Sequence, residues 1–123
     1  MKKPSRKYLK KKADKLWSDI IRQRNDGMCE ISDCGKMGGQ PHHIVGRKNL
    51  VLRHDLRNGC NLCFTHHIEG KLSTINDPMW FLDWLKTNRE EDYDYLMKKK
   101  HRIAYQVDYE EKIKLLQDNV IMT

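Results

Sequence analysis

No stretch of this sequence is both long and apolar enough to cross a bilayer, and the N-terminal region lacks the apolar segment of a secretory leader. The expectation is a cytoplasmic chain with no membrane partner. Its four cysteines are then thiols or thiolates rather than disulfides. Apolar residues are also scarce for a compact globule, at 38% against 33% charged. One modest core is the most a chain of 123 residues with this composition builds, so a structural metal is a reasonable staple. There is no internal repeat.

The excess of basic residues sits at one end of the chain. Residues 1–12 carry seven basic side chains and no acid, whereas the remaining 111 residues balance at 17 basic and 17 acidic. The net charge of +7 is therefore local. An arm of this kind suits a phosphate backbone, where counterion release drives binding; a solubilising terminus is the plainer alternative.

Three segments follow from the patterning: a basic arm over 1–12, a core with its leading helix over 13–75, and a helical extension over 76–123. Leu16, Trp17, Ile20 and Ile21 form one apolar stripe on a helix from Ala13 to about Arg24, with Trp17 as a core anchor, and Asn25-Asp26-Gly27 ends it. Gly35, Gly38 and Gly39 mark turns. Short strands are expected near 40–46 and over Asn58–Leu62, with a loop between them and a helix over Phe64–Leu72. Asp77-Pro78 starts a helix striped by Trp80, Phe81, Trp84 and Leu85. A charged helix over about 90–104 follows. A capping box at Asp108–Glu111 then opens a last helix with Ile113, Leu116 and Val120 on one side.

Ligand-capable residues crowd the middle of the chain. Cys29 and Cys34 are spaced as a zinc knuckle. A second pair comes from downstream in one of two registers: Cys60 with Cys63, or Cys63 with His66. Spacing alone leaves both open, and in the second Cys60 is a small buried apolar residue. Either way the site is structural, tying the start of the module to its last helix.

Five of the six histidines lie between residues 42 and 67. Phosphodiester hydrolysis needs a base for water and a cation for the charge that builds on the phosphate. Adjacent side chains on a strand point to opposite faces, so His42 and His43 can divide these tasks, one holding a metal and the other addressing water. His67 is available as a second ligand. Asn58 can hold the histidine strand by side-chain bonds to backbone. Arg47 and Arg53 in the loop, and Lys71 beyond it, are candidates for gripping phosphate, with plain surface charge as the alternative. His54 reads as a loop residue, and His101 carries no assignment.

The run Cys29-x4-Cys34, Pro41-His42-His43-Ile44-Val45, then Asn58-Gly-Cys-Asn-Leu-Cys63-Phe-Thr-His66-His67 resembles the HNH endonuclease family, and most of all its small zinc-containing phage and prophage members. The leading helix with Arg22-Gln-Arg24 has a similar look. The resemblance covers about residues 28–72. It implies an α+β fold with a ββα-metal core and a structural zinc knuckle, flanked by an N-terminal helix and C-terminal helices. It implies His43 as general base, Asn58 as the family asparagine, and His42 with His67 on a divalent metal such as Mg²⁺ or Mn²⁺. It places structural Zn²⁺ on Cys29, Cys34, Cys63 and His66, with Cys60 as the alternative ligand.

The function expected on these grounds is a metal-dependent DNA endonuclease, acting mainly on double-stranded DNA and leaving a 5′-phosphate. Its setting would be phage packaging, recombination or host DNA cleavage, with packaging or recombination proteins as candidate partners; oligomeric state is not readable. The main alternative is a non-catalytic zinc-stabilised DNA-binding module. A further one is a protein adaptor working through the Trp80/Trp84 helix.

Overall fold

A computed structural model describes residues 3–104 and 106–122, the last three of these by backbone alone. Helix α1 (Arg6–Gln23) opens the fold, its first turn capped by the Ser5 hydroxyl, which accepts from the Tyr8 N–H. It begins at Arg6, well ahead of the expected Ala13. Most of the basic arm is therefore helical, because Ser5 supplies a cap and nothing in Arg6–Lys12 breaks a helix. Met1 and Lys2 of that arm lie outside the described residues. Asn25, Asp26 and Gly27, all at positive φ, end the helical segment as expected.

Strands β1 (Gln40–His43) and β2 (Gly59–Leu62) pair antiparallel, with His42 opposite Cys60 and His43 opposite Gly59. The absence of a side chain at Gly59 positions the sheet. A Cβ there would lie 2.3 Å from Ile21 Cδ1 and 2.9 Å from Trp17 Cζ2, so α1 packs directly on the β2 backbone. The helix expected over Phe64–Leu72 is instead a single π turn, Thr65–Glu69, closed by the Gly70 N–H on the Thr65 carbonyl at 2.8 Å.

Three helices complete the fold: α2 (Pro78–Asn88), α3 (Glu90–Lys99) and α4 (Tyr109–Met122). The Asp77 carboxylate caps α2 at the Trp80 N–H, with Pro78 at its start as expected. Asp108 Oδ1 accepts from the Glu111 N–H at the start of α4. α3 stops at Lys99, earlier than the expected 104.

The core is divided among three apolar clusters, each drawing on both sides of position 76. Ala13, Trp17, Ile20 and Ile21 of α1 pack with Ile113 and Leu116 of α4. The side chain of Val120, expected on the same stripe, lies outside the described residues. Phe81 of α2 packs with Cys29, Ile31, Cys60, Leu62 and Cys63. Leu52 joins Leu85 and Leu96. The result is a mixed α+β fold built on one two-stranded sheet, and no described helix is long and apolar enough to cross a membrane.

Candidate metal centre

Cys29 and Cys34 flank a tight turn. The Cys29 N–H bonds the Lys36 carbonyl at 2.9 Å and the Cys34 N–H bonds the Ile31 carbonyl at 3.2 Å, with Asp33 at positive φ between them. Cys63 ends β2, and the π turn brings His66 back beside it. The four donor atoms of Cys29, Cys34, Cys63 and His66 all lie within 4.8 Å of one another.

Three of their six separations lie near the edges of a zinc tetrahedron. Bonds of about 2.3 Å to sulfur and about 2.0 Å to nitrogen give sulfur–sulfur edges of about 3.8 Å and sulfur–nitrogen edges of about 3.5 Å. Cys34 Sγ and Cys63 Sγ are 3.9 Å apart. His66 Nδ1 lies 3.3 Å from Cys63 Sγ and 3.6 Å from Cys29 Sγ. Cys60 is not in this group. It is fully buried on β2 opposite His42, packed with Leu62 and Phe81, and burial pushes its thiol well up. The register left open by spacing thus closes on His66.

Burial raises the Cys29 thiol to about 12. At Cys63 burial acts in the same direction, but hydrogen bonds from the His66 N–H and the neighbouring thiols outweigh it and lower the proton affinity below the ordinary thiol value. Burial, with Lys36 nearby, keeps His66 neutral. A soft, neutralisable Cys3His set of this size fits a structural Zn²⁺, whose binding would displace the remaining thiol protons.

The second histidine cluster lies along β1, and its members take opposite faces of the strand as alternation requires. His42 turns toward the π turn and α2: its ring meets His67 edge-on at 5.2 Å and Phe81 at 5.2 Å. Burial, reinforced by the neighbouring His67 and His43, pushes His42 down to about 3, so it is a neutral donor. His67 Nδ1 lies 3.0 Å from Gln40 Oε1. With the amide oxygen accepting, Nδ1 carries the proton and Nε2 keeps its lone pair.

His43 turns toward α1 and stacks on Trp17, with ring centres 3.8 Å apart and planes 9° from parallel. Its Nε2 is 3.0 Å from the Arg53 carbonyl. A carbonyl only accepts, so Nε2 carries the proton and Nδ1 holds the lone pair. Burial lowers its proton affinity, and Arg47 and Arg53 add to the effect.

Asn58 is completely buried. Its Oδ1 accepts from the Val45 N–H at 2.7 Å, and its Nδ2 donates to the Val45 and Leu52 carbonyls at 2.9 and 3.1 Å. It pins both ends of the loop that follows the histidine strand. Arg47 and Lys71 are exposed. The Arg53 guanidinium donates to both Asp14 oxygens, at 2.9 and 2.8 Å, and its side chain is only 12% exposed.

Several site residues gave no sequence signal. Asp14 holds Arg53 and His54 from α1, nearly forty positions away. Gln40 orients His67. Asn61, fully buried, accepts from the Gly39 N–H and donates to the carbonyls of Arg22 and Arg24, closing the start of β1 against the end of α1. A buried asparagine is visible in a sequence only as a polar residue between apolar ones, which loops also show.

No protein-family model matches this chain, and no curated protein or solved structure is significantly similar to it.

Proposed function

We propose that this protein is a metal-dependent DNA endonuclease of the HNH type, with a ββα-metal core in which the single π turn stands at the third position. The observation that carries the reading is the division of the histidine pair. His42 faces His67 on one side of β1, while His43 on the other side has Nε2 tied to a backbone carbonyl and Nδ1 left as a base.

In this reading His43 Nδ1 takes a proton from water as the water oxygen attacks phosphorus. The bond to the 3′-oxygen breaks, that oxygen takes a proton from solvent, and the new end carries the 5′-phosphate. His42 and His67 would hold a divalent ion such as Mg²⁺ or Mn²⁺, which when bound neutralises charge on the phosphate and the departing oxygen. Both donors are neutral imidazoles, as a ligand must be. The Cys3His cluster would hold Zn²⁺ and keep the β2 end and the π turn in register with His67, the residue directly after His66. Lys7, Lys11 and Lys15, exposed at four-residue spacing along α1, and exposed Arg47 provide sequence-independent attraction to a phosphate backbone.

The test is supercoiled plasmid with Mg²⁺ or Mn²⁺. Nicks that ligase reseals without prior phosphorylation are expected. Intact plasmid under both ions, with zinc-loaded folded protein, would remove the enzymatic reading and leave the zinc-stabilised binding module.

A further inference from the structure

We infer that Asp14 is a positioning residue for His43, holding in place the Arg53 carbonyl that fixes the tautomer of the imidazole. The functional consequence rests on the nuclease reading; the geometric one does not.

α1 presents Asp14 and Trp17 one turn apart on the same side. Asp14 Oδ1 accepts from Arg53 Nε at 2.9 Å and from His54 Nε2 at 2.7 Å, and Oδ2 accepts from Arg53 Nη2 at 2.8 Å. Trp17 Nε1 donates to the Asp55 carbonyl at 2.9 Å. Three consecutive residues, 53 to 55, are therefore fastened to one helix. The Arg53 carbonyl between these fastenings lies 3.0 Å from His43 Nε2. The ring that stacks on His43 is that of Trp17 itself. One helical turn thus sets two things about the base: the plane of its ring, through Trp17, and which nitrogen carries the proton, through the carbonyl that Asp14 steadies.

The burial explains why the carboxylate matters. Arg53 and His54 have side chains 12% and 2% exposed. Without Asp14 the guanidinium has no acceptor of comparable strength nearby and must turn toward water, which moves its own backbone. The His43 ring then has no fixed acceptor at Nε2, and the two neutral tautomers mix. Only the tautomer with a free Nδ1 can take the proton at the position described above.

The experiment compares wild type, Asp14→Ala and Asp14→Asn as full-length, zinc-loaded protein. ¹⁵N spectra of labelled histidine report the tautomer of each imidazole. Wild type is expected to show His43 predominantly protonated at Nε2. Asp14→Ala is expected to show mixed tautomers and a fall in kcat of about tenfold or more, with KM for plasmid within about twofold, since a well-placed base contributes about 10²–10⁴ in rate. Asp14→Asn keeps one acceptor and is expected to fall between the two. An Asp14→Ala protein with an unchanged His43 tautomer and the wild-type kcat overturns the inference. Should Asp14→Ala fail to retain zinc, Asp14→Asn decides: wild-type tautomer and rate there overturn it equally. If wild type does not nick but its tautomer still depends on Asp14, the clamp stands and the nuclease reading is what fails.

Discussion

Replacing His66 and replacing Cys60 are expected to have opposite effects on zinc. Both residues were candidate ligands from spacing, but only His66 has a donor within 4.8 Å of the three cysteine sulfurs of the cluster. Structural zinc in small modules contributes an apparent ~10–16 kcal/mol at neutral pH. A chain of 123 residues has a total stability of roughly 6–18 kcal/mol. The zinc contribution is therefore comparable to the whole margin. It acts on the cluster of Cys29, Ile31, Cys60, Leu62, Cys63 and Phe81, against which Ile44, Trp80 and Trp84 pack. His66→Ala is expected to bring bound zinc well below one per chain and to lower the melting temperature steeply, as a strong chelator does to wild type. Cys60→Ala removes one sulfur from a packed strand. It is expected to keep about one zinc and to cost about 1 kcal/mol, the usual scale of a buried truncation. Elemental analysis of dialysed protein and thermal melts with and without chelator read both quantities. Full zinc in His66→Ala, or zinc lost from Cys60→Ala, would refute the tetrahedral assignment.

Other outcomes follow from the same geometry. Asn58→Ala removes three side-chain bonds, one of them to the buried Leu52 carbonyl, so a loss of about 2–4 kcal/mol is expected in urea melts. Arg47→Ala is expected to leave the melting temperature unchanged and to reduce the salt slope of DNA binding by about one, whereas Arg53→Ala is expected to destabilise the fold by removing two of the three side-chain bonds to Asp14. Metal-free protein is expected to lose stability in acid. His42, His43 and His54 all have folded proton affinities below the ordinary 6.5, so the unfolded chain binds their protons first. Their contribution is complete above about pH 6.5 and declines as pH falls, for His42 down to about 3. Urea midpoints between pH 8 and 4 check this, and His42→Asn is expected to flatten the lower part of the curve.

The sequence disclosed the parts of this arrangement that depend on residue type at short spacing. The Cys29–Cys34 knuckle, the two strands, the Asp77-Pro78 start of α2 and the apolar stripe of α1 are local patterns, and each appears in the structure. What escaped depends on tertiary proximity. Arg53 looked like a free loop cation because its partner, Asp14, sits on α1. Where a helix over Phe64–Leu72 is expected, the structure has a single π turn, Thr65–Glu69, with His66 Nδ1 3.3 Å from Cys63 Sγ. Residues 1–12 read as a basic arm ahead of the helix, yet a serine cap and good helix formers suffice to start α1 at Arg6. The choice between Cys60 and His66 needed the strand register, which puts Cys60 opposite His42 and outside the group of four donors.

The proposed role of His43 is that of the base in a hydrolytic site. Its most direct test is single-turnover nicking of supercoiled plasmid by wild type and His43→Ala in Mg²⁺ or Mn²⁺, at matched zinc content and DNA occupancy. A rate lower by about 100-fold or more is expected in the variant. Equal conversion of supercoiled DNA by the two proteins would contradict it.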